Sequence, residues 1–499
     1  MLVPSDLPPV PADATRESLW AELVAQREVN AGLREVINAQ GVKVESLMSR
    51  VEALERRLGR DSSNSGKPPS SDPIFGKGRD RSLRQAGKRR PGKQPGDDSA
   101  TMKLVDNPDE TVPCPPSECA GCGGGLTDAP VSGVQRRQVT EAQAPPPPKV
   151  IEYVVQAKEC VRCGATTVGE PPAHASGRAQ FGPQTHALAA NLLVGHHVPV
   201  KRSTVLLMQM AGVETSSGWM ASVRGKAAAL LTEGGFTGRV RDLLRAAPAV
   251  HADETPARAA GKLAYVHVAC TRYLTLMHTG GRSAADIDAG DVLPGYTGVI
   301  VRDGYAGYSH LTDAAHAWCG AHLLRELKDL YEFEPAAQTW ATDMASLLCE
   351  ANQAAQAARA EGQTVLAETV LTAVVACYRA LASEGFTANY YRTTPTAADA
   401  VRLSRRFRDY EDMILRFATN PGTVEFTNNQ AERSIRPVKV QMRSSGGCWR
   451  TLQGLADFAL VHSYLSTAAK WGLDKLDALR RLFTTGPWLP PALAPPQAA

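Results

Sequence analysis

The sequence predicts a multidomain α/β protein with a helical front end, a small cysteine-bearing module, a cluster of strands and a long helical stretch. Three observations carry this. A chain of 499 residues exceeds what one ordinary core organises. A heptad pattern runs from Leu19 to Leu58. Strand-like apolar runs gather between residues 246 and 310, and the pattern then turns helical from about 315 to 485.

Residues 1–18 are rich in Pro and small polar side chains and are expected to be disordered. The 19–60 segment reads as a coiled coil. Leu19, Leu23, Gln26, Asn30, Leu33, Ile37, Gln40, Val44, Leu47, Val51, Leu54 and Leu58 alternate at spacings of four and three. The three polar positions in that seam would set register or strand number, and a homodimer or higher assembly through this segment is the expectation. The competing reading is an amphipathic helix packed on its own chain; Gly32 and Gly41 weaken the helix in either case.

Residues 61–105 read as a basic flexible linker. The whole-chain charge of +4 conceals an asymmetry: Arg56 to Gly96 carries twelve Lys and Arg against three Asp. Arg89, Arg90 and Lys93 lie in its densest part. A basic block of this kind is either a solvated linker or a contact for nucleic acid, and DNA is the expected partner. No apolar stretch approaches the roughly 18 residues of a membrane span. The start, Met-Leu-Val-Pro-Ser-Asp-Leu-Pro-Pro, lacks the basic and apolar regions of a secretory signal. A cytoplasmic, nucleoid-associated location is therefore expected.

Ten cysteines are too sparse for a disulfide scaffold. Four of them form Cys119-Ala-Gly-Cys122 and Cys160-Val-Arg-Cys163, within residues 106–170. Two such knuckles supply four thiolates, the donor set of a structural Zn²⁺, with reduced packing cysteines as the alternative. The run Lys149–Gln156 between them looks strand-like. Residues 180–240 look helical, and Lys201–Met210, a Gly-containing turn and Ser216–Lys226 outline a helix-turn-helix or an ordinary helical hairpin. His196 and His197 read as a polar cap before Pro199.

Three carboxylates carry the chemistry. Asp253 ends the apolar run in Ala249-Val-His-Ala-Asp-Glu-Thr-Pro256, and Asp303 ends Gly298-Val-Ile-Val-Arg-Asp303. Glu432 lies near a helix start in Asn428-Asn-Gln-Ala-Glu432. Each has a bland explanation: Asp303-Gly304 is a turn dipeptide, and Asn429-x-x-Glu432 resembles a capping box. Together, at two strand ends and one helix, they can converge and hold a pair of hard divalent cations, which suits phosphodiester chemistry. Glu254 faces the other side of its strand and should not replace Asp253 as a ligand.

These blocks, with Asp303-Gly-Tyr-Ala-Gly-Tyr308, Trp318-Cys-Gly-Ala-His322, Asn428-Asn-Gln-Ala-Glu-Arg-Ser-Ile-Arg-Pro437 and Asn64-Ser-Gly-Lys-Pro-Pro-Ser-Ser71, resemble in order the motifs of insertion sequence 66 family transposases. The resemblance extends over nearly the whole chain. It implies a DDE transposase with an RNase H-like core in two parts, 245–330 and 421–485, interrupted by a helical insertion at 331–420, with a Pro-rich tail at 486–499. Asp253, Asp303 and Glu432 would be the catalytic, Mg²⁺-binding triad (Mn²⁺ can replace Mg²⁺). The reaction would be cleavage at the element's terminal inverted repeats, then joining of the freed 3′-hydroxyl to target DNA.

Arg433, Arg436 and Lys439 follow Glu432 and are candidates for holding DNA phosphates, against a solvated helix face. Cys319-Gly-Ala-His322 is similar to a Cys-x-x-His element of several DDE transposases. His316, Cys319 and His322 would share one helix face as a second metal site, but His322 reads better as a substrate-positioning residue. The alternatives for the whole chain are an RNase H-like nuclease that cuts without joining, and a catalytically silent DNA-binding regulator.

Overall fold

The computed structural model describes residues 15–59, 102–172, 175 and 177–491. The stretch with Arg89, Arg90 and Lys93, most of the expected linker, residues 1–14 and the last eight residues of the Pro-rich tail lie outside them. The described residues fall into two compact units, a larger one within Met1–Asp80, Phe181–Pro199 and Ala221–Ala499, and a smaller one within Arg81–Gln180 and Val200–Met220.

The first helix, α1 (Arg16–Gly59), runs unbroken through Gly32 and Gly41. It begins three residues before the expected coiled-coil boundary, where the Thr15 hydroxyl accepts the Ser18 N–H and caps the first turn. Its seam is open: Leu33, Ile37 and Leu47 are all more than half exposed.

In the smaller unit, β1 (Ala157–Glu159) and β2 (Thr166–Val168) form an antiparallel hairpin around Cys160–Cys163. The strand expected at Lys149–Gln156 does not form. That run is largely exposed and has no neighbouring strand, so its β-branched composition has nothing to pair with. The chain continues through α2 (Pro183–Ala190), a π-helical turn at Asn191–Gly195, α3 (Val200–Ala211), α4 (Ser217–Glu233) and α5 (Phe236–Arg245). The turn between α3 and α4 opens at Gly212 in the left-handed region.

The larger unit is built on a mixed sheet of β3 (Ala249–Ala259), β4 (Lys262–Cys270), β5 (Thr275–Gly280), β6 (Val299–Arg302) and β7 (Ala315–Trp318), in the order β5-β4-β3-β6-β7. The first three strands are an antiparallel meander, as expected; β6 lies parallel to β3, and β7 parallel to β6. Strand β7 falls in a region expected to be helical. A buried run of four residues shows no period that separates strand from helix.

Two features complete the sheet. Pro256 is tolerated in β3 because β6 pairs only with Ala249–His251 and the bridge to Trp449 begins only at Arg258, so no strand on that side calls on an N–H at Pro256. The outer N–H groups of edge strand β5 are capped by a helix: Thr275 N–H donates to Thr467 Oγ1 and Met277 N–H to Ser463 Oγ. A short helix α6 (Ala284–Asp288) with a Ser283 capping box links β5 towards β6.

After β7 come α7 (Gly320–Phe333), α8 (Thr339–Ala360), α9 (Glu368–Asn389), α10 (Pro395–Asp409), α11 (Glu411–Ile414) and α12 (Arg416–Thr419). Their core is Trp340, Tyr378 and Phe407 with Leu and Ala around them, continuous with the β6–β7 end of the sheet. The chain then returns through α13 (Asn429–Ser444), α14 (Leu452–Lys470) and α15 (Lys475–Thr485). Arg359 fixes that return by donating to the carbonyls of Pro421 and Val424.

Candidate active site

The parallel pairing of β3 and β6 ends at the rung His251–Val301. Asp253 and Asp303 each lie two residues beyond it; Asp303 directly follows β6, whereas Asp253, expected at a strand end, lies inside β3, which runs on to Ala259 in its pairing with β4. Here β3 is antiparallel to β4 on one side and its parallel pairing with β6 stops on the other, a usual kind of place for sites on open α/β sheets. Asp253 Oδ1 accepts the Glu254 N–H at 2.9 Å, and Asp303 Oδ1 accepts the Tyr305 N–H at 2.9 Å. Both acids are half-buried, as is Glu432.

Glu432 is delivered by the first turn of α13, and the anchoring residue is Asn428. Its Oδ1 meets His251 Nδ1 at 3.0 Å, its Nδ2 donates to the Ala252 carbonyl at 2.8 Å, and its N–H donates to Cys319 Sγ at 3.2 Å. One side chain thus ties the helix start to β3 directly before Asp253. The capping box suggested by Asn429-x-x-Glu432 does not form: the N-cap is Asn428, with its side chain turned to β3 rather than its own helix.

Asp303 and Glu432 lie near enough to Asp253 for their charges to act on it. Asp253 has its carboxyl held well above the ordinary range, first by burial, then by the charges of Asp303, Glu254 and Glu432. An all-oxygen donor set with crowded negative charge fits a hard divalent cation, so the residues present suit Mg²⁺. Arg325 offers Glu432 limited relief, with its guanidinium 3.9 Å from the carboxylate.

The turn bearing Asp303 is braced from below. Arg302 is buried and donates to the carbonyls of Asp303 and Tyr305 at 2.8 and 3.0 Å, and its Nε donates to His316 Nδ1 at 2.9 Å. That last bond corrects the expected second metal site. Because arginine only donates, His316 Nδ1 must accept, and His316 Nε2 then donates to the Leu311 carbonyl. Both ring nitrogens are committed. His316 also lies on β7 while the helix starts only at Gly320, so the three residues share no helix face.

Cys319 and His322 do approach Glu432. Among the described residues, Cys319, His322 and Glu432 are the only group of metal-type side chains with ligand atoms all within 4.8 Å of one another. Neither the three acids nor the two cysteine pairs meet that spacing. Gly320 makes the approach workable: a Cβ there would sit 2.1 Å from the Phe426 ring. His322 is also sensed by Asp303, whose charge acts on its imidazole alongside that of Glu432.

Of the basic candidates, Arg433 and Arg436 are exposed on α13. Lys439 instead donates to the Pro256 carbonyl at 2.6 Å, a tie between α13 and β3. His197 is more than a cap: it meets Gln441 through Nδ1 at 3.3 Å and lies beside Phe458 and His462. Asn428, Arg302 and Arg325 carry no local signal for their roles. Each acts through a partner remote in sequence or through backbone carbonyls.

In the smaller unit the cysteine pairs form two separate, similar knuckles. In one, Cys119 N–H donates to the Gly124 carbonyl and Gly123 N–H to the Cys119 carbonyl; in the other, Cys160 pairs in the same way with Ala165 and Gly164. Gly123 and Gly164 both take the left-handed conformation that the turn requires. Backbone N–H groups lower the thiol pKa of Cys119 (from Gly121 and Cys122) and Cys160 (from Arg162 and Cys163).

Among the described residues no helix is long and apolar enough to cross a membrane. Residues 12–103 match a family of unknown function (DUF6444). No curated protein sequence matches the chain. Residues 178–456, which include all five strands of the large sheet and the helices carrying His322 and Glu432, match the Transposase IS66 family. The chain belongs to this family of transposases, DNA-processing enzymes of mobile elements.

Proposed function

We propose that the chain is a DDE transposase that binds the ends of its element, cleaves them and joins the freed 3′-hydroxyl to target DNA. The observation that supports this reading is that the charges of Asp303 and Glu432 both act on the buried Asp253 carboxyl, just beyond the end of the β3–β6 pairing. The strand order, three antiparallel strands with two parallel ones continuing outward from β3, supports an RNase H-like core. The helices between β7 and α13 are then the insertion, and α13 resumes the core with Glu432.

Asp253, Asp303 and Glu432 would hold Mg²⁺ through their carboxylate oxygens. When bound, such ions activate the attacking water or 3′-hydroxyl and stabilise the leaving oxygen. The protein's own part is positioning. Arg302 and the Tyr305 N–H fix the Asp303 turn, Asn428 fixes Glu432 against β3, and Arg433 and Arg436 present charge to phosphates. Arg89, Arg90 and Lys93 would add sequence-independent DNA affinity. One structural Zn²⁺ held by Cys119, Cys122, Cys160 and Cys163 would require the two knuckles to close on each other, since no three of these thiols lie within 4.8 Å of one another.

A strand-transfer assay with Mg²⁺ and the element's terminal inverted repeats tests this. Joined product with wild type, and its loss in Asp303→Ala with DNA binding retained, is the expected result. Cutting without joining by wild type would make the chain a nuclease, and binding with neither step would make it a regulator.

A further inference from the structure

We infer that Cys319, His322 and Glu432 form a second divalent-ion site, for a borderline-soft ion of the zinc class, at the edge of the acid cluster. It shares Glu432 with the proposed Mg²⁺ site and therefore rests in part on that reading. Three observations support it independently of the family.

The first is spacing: one sulfur, one imidazole nitrogen and one carboxylate oxygen lie within 4.8 Å of one another, close enough for a single ion to touch all three. The second is an orphaned atom. His322 Nδ1 is buried and meets no hydrogen-bond partner, an arrangement that costs about 1–3 kcal/mol unless something takes the lone pair or the proton. The third is the donor set. Cys, His and Glu are a softer mixture than three carboxylates, which favours zinc over magnesium at this position.

The surroundings suit a ligand set. A Cys319 bound to such an ion would be the thiolate, its proton released to solvent. The Asn428 N–H already aimed at Cys319 Sγ stabilises the resulting thiolate. Arg325 leaves the Glu432 carboxylate free to coordinate, since 3.9 Å exceeds hydrogen-bond range. Three protein ligands leave a fourth position open, as in zinc sites that also bind water or substrate. Because Glu432 is common to both sites, zinc-class ions and Mg²⁺ would compete for it, each lowering the other's affinity.

Co²⁺ is the probe, because a thiolate ligand gives it a near-ultraviolet charge-transfer band. The full chain would be titrated with Co²⁺ alongside Cys319→Ser, His322→Ala and Asp303→Ala, each first shown to keep the wild-type thermal unfolding transition. The four knuckle cysteines contribute equally to every spectrum and cancel in the differences. A band component lost in Cys319→Ser, weakened at least tenfold in affinity in His322→Ala and kept in Asp303→Ala is the expected result. Identical wild-type and Cys319→Ser spectra would overturn the site, as would a Cys319-dependent band indifferent to His322→Ala. If Cys319→Ser fails to fold, His322→Ala decides alone, since it keeps the thiol. The readout needs no DNA, so this site can fail while strand transfer succeeds, and the reverse.

Discussion

At the scale of single residues, the neighbour of the first acid has a clear task. Glu254 points away from Asp253's side of β3, and its side chain is only 3% exposed. It accepts from Arg282 Nε and Nη2 at 3.0 and 2.8 Å and from the Tyr308 hydroxyl at 2.8 Å. Arg282 lies 3.8 Å above the Tyr305 ring, and Tyr305 Oη donates back to the Arg282 carbonyl. Since the Tyr305 N–H holds Asp303, Glu254 lashes the Asp303 turn to the strand that carries Asp253. Glu254→Gln keeps the shape and removes the charge that holds Arg282. It should raise the Mg²⁺ concentration for half-maximal cleavage by roughly 10–100-fold, the usual effect of losing a partner behind a metal ligand. DNA affinity should stay constant. An unchanged Mg²⁺ requirement would reduce Glu254 to packing.

At the scale of elements, α1 offers the cleanest test. A helix of 44 residues with Leu33 and Ile37 53% and 64% exposed has an apolar seam that the described residues leave open. Deleting residues 1–58 should convert a self-associated protein to monomer by light scattering; an assembly of unchanged stoichiometry would end the coiled-coil reading. The same elements explain what was legible beforehand. The helical period of α1 and the β3–β5 meander are local signals, and β6 is readable from its β-branched Val-Ile-Val composition rather than from a period; Asp253 and Asp303 follow short apolar runs, and Glu432 lies in the first turn of a helix. Strand β7 was hidden because four buried residues have no readable period. The strand expected at Lys149–Gln156 failed for the opposite reason, a strong composition without a partner. His316 was misassigned because helical spacing was extended back across a strand and a helix start. Asn428 could be quoted as part of a motif, but its role depends on β3, 176 residues away at Ala252.

At the scale of the whole molecule, the fold keeps several histidines neutral, and that sets its response to pH. His278 on β5 is held down to about 4 by burial, although its Nε2 bonds the Asp286 carbonyl at 2.8 Å. His462 on α14 is held down to about 3, again mainly by burial, with its ring stacked on Phe458. Burial also lowers His251 beside Asn428. The unfolded chain would protonate these rings near 6.5, so below that pH it binds more protons than the folded chain, and stability falls as pH falls. The loss begins near pH 6.5 and grows until about 4 for His278 and about 3 for His462. At its limit it amounts to roughly 3 kcal/mol for the first and roughly 5 kcal/mol for the second. Against a typical total of about 5–15 kcal/mol this is large. Asp253 works in the other direction: its raised carboxyl is strained when ionised and is relieved as pH falls, or by a divalent cation. The histidines' share should appear as a lower urea midpoint at pH 5 than at pH 7.5, with Asp253 opposing it. His278→Gln, which can still donate to the Asp286 carbonyl, should flatten that slope by about 2 kcal/mol over the interval. Equal midpoints at the two pH values, or a slope untouched by His278→Gln, would show that other groups govern acid stability.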